Sequence, residues 1–102
     1  MGYDKLQKFS LVQLARRIQR LARTSSNVFL TDHSKERMIE REINYEEVME
    51  CLRIGTIHRV PEPNFGYGTL ECLMERNVLG RDIECLVALS DEQPDLIVVT
   101  VW

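Results

Sequence analysis

His33, Arg37 and Arg41 follow one another at intervals of four in the stretch "TDHSKERMIEREI", residues 31–43. On a helix this spacing gathers them on one side: with His33 at zero, Arg37 falls about 40° round and Arg41 about 80°. Like charges at i, i+4 repel, so the pattern asks for an anion to offset it. Two guanidiniums clamp a phosphate bidentately. A histidine one turn away can move a proton. Together they suit metal-independent RNA cleavage: a base takes the 2′-OH proton, cations stabilise the phosphorane, and an acid protonates the leaving oxygen.

Two structural explanations compete with that chemistry. Glu36 and Glu40 sit at about 300° and about 340° on the same wheel, so a solvated helix can neutralise its own charges. Alternatively, Arg37 and Arg41 pair with carboxylates further along, at Glu71, Glu75 or Glu84, because buried charges need partners. The apolar side of this helix is thin, with Met38 and Ile39 far from the cationic strip.

Other chemistry-bearing residues are scattered. His58 stands beside Arg59 in "TIHRV" and reads as a sheet-edge residue. Tyr67, in the turn-rich loop "PEPNFGYG", is placed either to stack on a base or to cover the sheet edge. Cys51, Cys72 and Cys85 are far apart and form neither a zinc pattern nor a disulfide framework; they read as buried reduced thiols. No metal ligand set, phosphate-binding glycine loop or Gly-x-Ser-x-Gly nucleophile is present, and no cofactor is expected.

These residues need a scaffold. "FSLVQL" carries a capping box at Ser10 and Gln13, with Phe9 and Leu14 at the staple positions. Leu11, Leu14, Ile18 and Leu21 continue at helical spacing, and Arg16, Arg20 and Arg23 lie off that stripe. "TSSN" at 24–27 ends the helix. The same grammar returns at "INYEEVMECLRIG": Asn44 and Glu47 form the box, and Tyr45, Val48, Met49 and Leu52 the buried stripe. Gly55 is expected to supply a left-handed stop.

From residue 56 the period becomes that of strands. "TIHRV" is a short strand halted by Pro61 and Pro63. "TLECLMER" and "RDIECLVAL" flank "NVLG", and a four-residue loop there would set Cys72 opposite Cys85 and Met74 opposite Ile83. Leu70, Cys72, Met74, Ile83, Cys85 and Val87 then share one apolar face, with mostly acidic residues on the other, as in a half-buried antiparallel sheet. "LIVVTVW" runs apolar without alternation, which suits a central strand buried on both sides. The expected fold is α+β, with N-terminal helices on a mostly antiparallel sheet of about four strands.

Composition sets the outer bounds. The 102 residues suffice for one domain with one modest core, and 44% apolar with 28% charged residues is ordinary for a globular protein. No apolar run reaches the length of a membrane span, and "MGYDKLQKFS" is too charged for a signal peptide. A cytoplasmic protein without a membrane partner is expected. The net charge of −3 argues against a protein that simply coats nucleic acid. Its distribution is uneven: residues 1–60 hold eleven Lys/Arg against eight Asp/Glu, while residues 61–102 hold two against eight. Such asymmetry can mark an interaction surface or a solvated acidic sheet face.

"TDHSKERMIEREINYEEVMECLRIGTI" resembles a bacterial family known as domain of unknown function 4258, whose hallmark is a His-x3-Arg-x3-Arg helix followed by a capped helix, Gly and a strand. The ending "LIVVTVW" is similar to that family's last strand, where a Thr between apolar residues precedes an aromatic. The resemblance covers about residues 28–102, leaving residues 1–27 as an added amphipathic helix within a single domain. The family looks like a relative of the RelE-like and barnase-like toxin ribonucleases. The resemblance therefore implies RNA as a partner, a cognate antitoxin-like protein as another, and site roles for His33, Arg37, Arg41 and Thr100. The competing expectation is a non-enzymatic protein-interaction module with a structural His/Arg network.

Overall fold

Two reciprocal capping boxes start the helices on which the core depends. The Ser10 hydroxyl accepts from the Gln13 amide at 3.1 Å, and the Gln13 side chain accepts from the Ser10 amide at 2.8 Å. Asn44 and Glu47 repeat the exchange at 2.8 and 3.0 Å. The structure is a computed structural model that describes residues 2–92 and 95–102. In chain order it contains α1 (Leu11–Ala22), β1 (Val28–Leu30), α2 (Asp32–Arg41), α3 (Tyr45–Ile54), β2 (Thr56–Ile57), β3 (Glu62–Asn64), β4 (Thr69–Val78), β5 (Arg81–Leu89) and β6 (Leu96–Val101).

The strands form one sheet in the order β1-β6-β5-β4-β2, with β3 also paired to β4. Only the β1–β6 pairing is parallel. The fold is therefore α+β with a mostly antiparallel sheet, as expected, but with six strands rather than about four. The additional strands, β1 and β3, have three residues each, too few for alternation to show in sequence.

Leu14, Ile18 and Ala22 of α1 and Val48, Cys51 and Leu52 of α3 pack into one cluster with Leu70, Cys72, Met74, Ile83, Cys85 and Val87 of the sheet. Two polar ties lock the helices together: Gln19 Nε2 donates to Gly55 O, and Arg53 Nε donates to Ala22 O, each at 2.8 Å. Tyr3 and Leu6 join the same cluster. The Asp91 carboxylate holds them in place by accepting from the Lys5 and Leu6 amides at 2.9 and 3.0 Å. The segment before β1 thus shares its core with the rest of the chain.

Four expectations are corrected. The β4–β5 register places Met74 opposite Cys85 and Cys72 opposite Val87, a shift of two residues. Its cause is a two-residue turn at Leu79-Gly80, both with positive φ (50° and 86°), in place of a four-residue loop. Because the shift is even, every side chain keeps its face. Gly55 is not left-handed: its φ is −76°. It is needed there because a Cβ would stand 2.9 Å from Glu75 O and nearly on top of Cys51 O. Tyr45 is exposed rather than part of the buried stripe, because its position faces away from the sheet while Val48, Met49, Cys51 and Leu52 face it. Finally, β6 is not buried on both sides. Leu96, Val98 and Val101 are buried, whereas Ile97 and Val99 are only half-buried, because α1 and α3 cover one face of the sheet alone.

Candidate functional site

The N-terminus of α2 is fixed to β6. Thr31 caps the helix, its hydroxyl accepting from the Ser34 amide at 3.1 Å. The same hydroxyl faces the Val98 and Val99 carbonyls at 3.1 and 2.9 Å. The Ser34 hydroxyl donates to Thr31 O at 2.7 Å, which satisfies a fully buried polar group. At the other end, Glu42 turns the chain out of the helix in a left-handed conformation, φ 54°. Arg81 closes that end, donating to Arg41 O at 2.7 Å and Glu42 O at 3.0 Å. A cation at a helix C-terminus also complements the helix dipole.

Between these anchors runs the His33–Arg37–Arg41 strip, about 12 Å from first Cα to last at 1.5 Å per residue. His33 and Arg41 are exposed, and neither side chain has a hydrogen-bond or ion-pair partner among the described residues. Arg37 is half-buried and bonds Glu40 Oε2 at 3.1 Å. None of the three reaches Glu71, Glu75 or Glu84. Glu71 accepts from Asn64 at 3.2 Å, and the cations of the hairpin are held by α3: Arg76 by Glu50 at 3.7 Å and Arg81 by Glu47 at 3.5 Å. The explanation in which the sheet neutralises the strip is thereby overturned. The self-neutralised helix survives only at Arg37.

The remaining expected residues lie on neighbouring parts of the molecule. Tyr67, 84% exposed, sits on the rim of a groove of about 470 Å³ that also takes in Thr31, Asn64, Thr69, Ile97 and Val99. The groove thus begins at the residue capping α2 and crosses the face of the sheet that α1 and α3 leave open. Thr100 lies on β6 opposite Leu86, beside a bulge, and is buried; α2 packs against this strand. His58 is exposed near the β2 edge, its Nε2 2.9 Å from Thr56 Oγ1.

The cysteines offer no nucleophile. All three are free and buried. Burial pushes the Cys72 thiol up from 9.0 to about 12. A thiol hydrogen bond with Cys51, followed by burial, holds Cys85 well above the ordinary thiol range. Among the described residues no group of three or more His, Cys, Asp or Glu is arranged to hold a metal, and no helix is long and apolar enough to cross a membrane.

The sequence reading missed the cross-strand carboxylates. Glu62 stands directly opposite Glu71, and Glu75 directly opposite Glu84. Glu75 Oε2 is buried without a partner among the described residues. The alternation of "TLECLMER" with "RDIECLVAL" placed these residues on one face, but only the true register shows which of them oppose each other.

Comparison with curated proteins and with solved structures returns no match. A family model does match, over residues 30–102, from the end of β1 through α2 and α3 to the last residue of the chain. The chain belongs to that family, domain of unknown function DUF4258.

Proposed function

We infer that the chain acts on RNA as a small metal-independent endoribonuclease of toxin type, with the exposed face of α2 as its phosphate site. The observation that carries this reading is the unspent strip: His33 and Arg41 project into solvent without partners among the described residues, and the protein's own acidic sheet does not take them up. Releasing Arg37 from Glu40 costs only a few tenths of a kcal/mol, the worth of an exposed helical ion pair. Arg37 and Arg41 then neutralise the phosphorane, and His33 acts as general acid or base on the 2′-OH or the leaving oxygen.

Tyr67 and Thr100 serve as substrate-binding residues in this reading. Tyr67 offers a ring for a base at the groove that starts from the α2 cap, and Thr100 lies on the strand packed by α2. A distant kinship with RelE-like and barnase-like ribonucleases is part of the same proposal, as an analogy of fold. A toxin-type module would also have a cognate antitoxin-like protein as its partner.

Salt dependence tests the phosphate site. Two phosphate contacts to single-stranded RNA predict a slope of about −1.4 for log K against log salt. Arg37→Ala/Arg41→Ala flattens that slope towards zero. An unchanged slope and affinity in the double variant contradict the assignment. The alternative, a non-enzymatic protein-interaction module, would meet its partner through the basic helix α1 or an exposed sheet edge.

A further inference from the structure

Strand β6 has the composition of a strand covered on both sides, yet the chain covers only one. An unbroken apolar run is expected where both faces of a strand are packed, and Ile97 and Val99 instead line the groove beside Tyr67. A second trough of about 180 Å³ adjoins it, bounded by Val60, Leu73, Leu86 and Trp102. Glu71 lines both, so the two meet at β4 on the open face. Leu73 and Ala88, on this uncovered side, are already buried. Val60, Tyr67 and Trp102, all exposed, rim the two troughs, and apolar side chains clustered on the outside of a domain mark a contact site.

The charge on the same face is mostly negative. By the pleat, Glu62, Glu71, Glu75, Asp82 and Glu84 all point to it. Two of the cross-strand pairs are carboxylate against carboxylate, an arrangement that destabilises a sheet when left alone. Arg76 and Arg81, the only cations in residues 61–102, sit on the opposite face and bond α3. Among the described residues, Arg59 is the one Lys or Arg lining either trough. The Glu75 oxygen adds a buried acceptor without a donor among the described residues.

We propose that the open face of the sheet is a docking surface for a basic amphipathic helix of a partner protein. Such a helix adds the missing third layer. Its apolar side chains enter the two troughs, and its Lys and Arg residues answer Glu62, Glu71, Glu75 and Glu84. The carboxylates repel RNA along β4 and β5, whereas the Tyr67 rim of the larger trough is shared with the proposed RNA path. The surface is separate from the α2 strip, so the proposal does not depend on nuclease activity.

Trp102, the chain's single tryptophan, borders the smaller trough and reports its occupancy. The probes are two helical peptides of about sixteen residues, ~24 Å long, with the same Leu/Phe stripe. One has a polar face of Lys and Arg, the other of Glu. The expected result is a saturable blue shift of Trp102 emission with the basic peptide and none with the acidic one. Glu62→Lys/Glu84→Lys, at two surface positions, should weaken the basic peptide by about tenfold or more while far-UV circular dichroism stays unchanged. Equal binding of both peptides, no saturable shift, or unweakened binding to the double variant overturns the proposal. So does a shift that follows protein concentration alone, which would make a second copy the occupant.

Discussion

Helices α2 and α3 are neighbours of equal length, ten residues each, and both begin on a side-chain cap. They are built for opposite ends. Helix α3 buries Val48, Met49, Cys51 and Leu52 and ties itself to α1 and the sheet. Helix α2 buries only Ser34, with Met38 half-covered, and is held at its two ends by Thr31 and Arg81. An element that buries so little of its flank leaves its other sides free to carry charge outward. The contrast teaches that α3 serves the core, whereas α2 is a platform that the core positions.

The sharpest way to break this contrast is truncation at matched places. Leu52→Ala should cost about 2–5 kcal/mol through the cavity it leaves, while Ile39→Ala on exposed α2 should stay within about 0.5 kcal/mol. Urea unfolding midpoints decide this, and similar losses would put α2 in the core. Next, Gly55→Ala forces a Cβ against Cys51 O and Glu75 O where α3 meets β4. Overpacking of this kind should cost about 1–3 kcal/mol. If Gly55→Ala is neutral, the close approach is not a constraint.

A smaller effect separates the two arginines at the end of α2. Arg81→Ala should lose about 1 kcal/mol, because two helix-terminal carbonyls lose their donor. Arg41→Ala should lose nothing measurable, because its side chain is unpartnered among the described residues. Smallest, Glu42→Gly should stabilise the protein by up to about 1 kcal/mol by relieving a left-handed non-glycine residue. Thermal unfolding of both variants checks the signs, and a loss in Glu42→Gly would mean that the Glu42 side chain contributes more than its conformation costs.

Much of the scaffold was legible because it rests on local signals. Capping boxes are written in four residues, and both were readable at Ser10 and Asn44. The apolar face of the hairpin was readable because alternation fixes facing independently of register. Register itself was not, because Leu79-Gly80 lacks the Asn-Gly or Asp-Gly chemistry that announces a two-residue turn. The reach of Thr31 to β6 and of Arg81 to the end of α2 joins residues dozens of positions apart, and no periodicity encodes such contacts. The apolar run of β6 was read as covered on both sides; its composition does call for that, and the chain supplies only half the cover. At the candidate site, the strip of His33, Arg37 and Arg41 was legible from spacing alone. That the sheet leaves it unpaired depended on where the sheet's carboxylates and arginines turn.

The central claim is that α2 presents this strip to RNA for cleavage. Its most direct test incubates RNA with the purified protein in excess chelator and compares wild type with His33→Ala of unchanged thermal stability. The account predicts cleavage by the wild type and its loss, by about a hundredfold or more, in His33→Ala. Equal cleavage by both proteins, or none by the wild type, would contradict it.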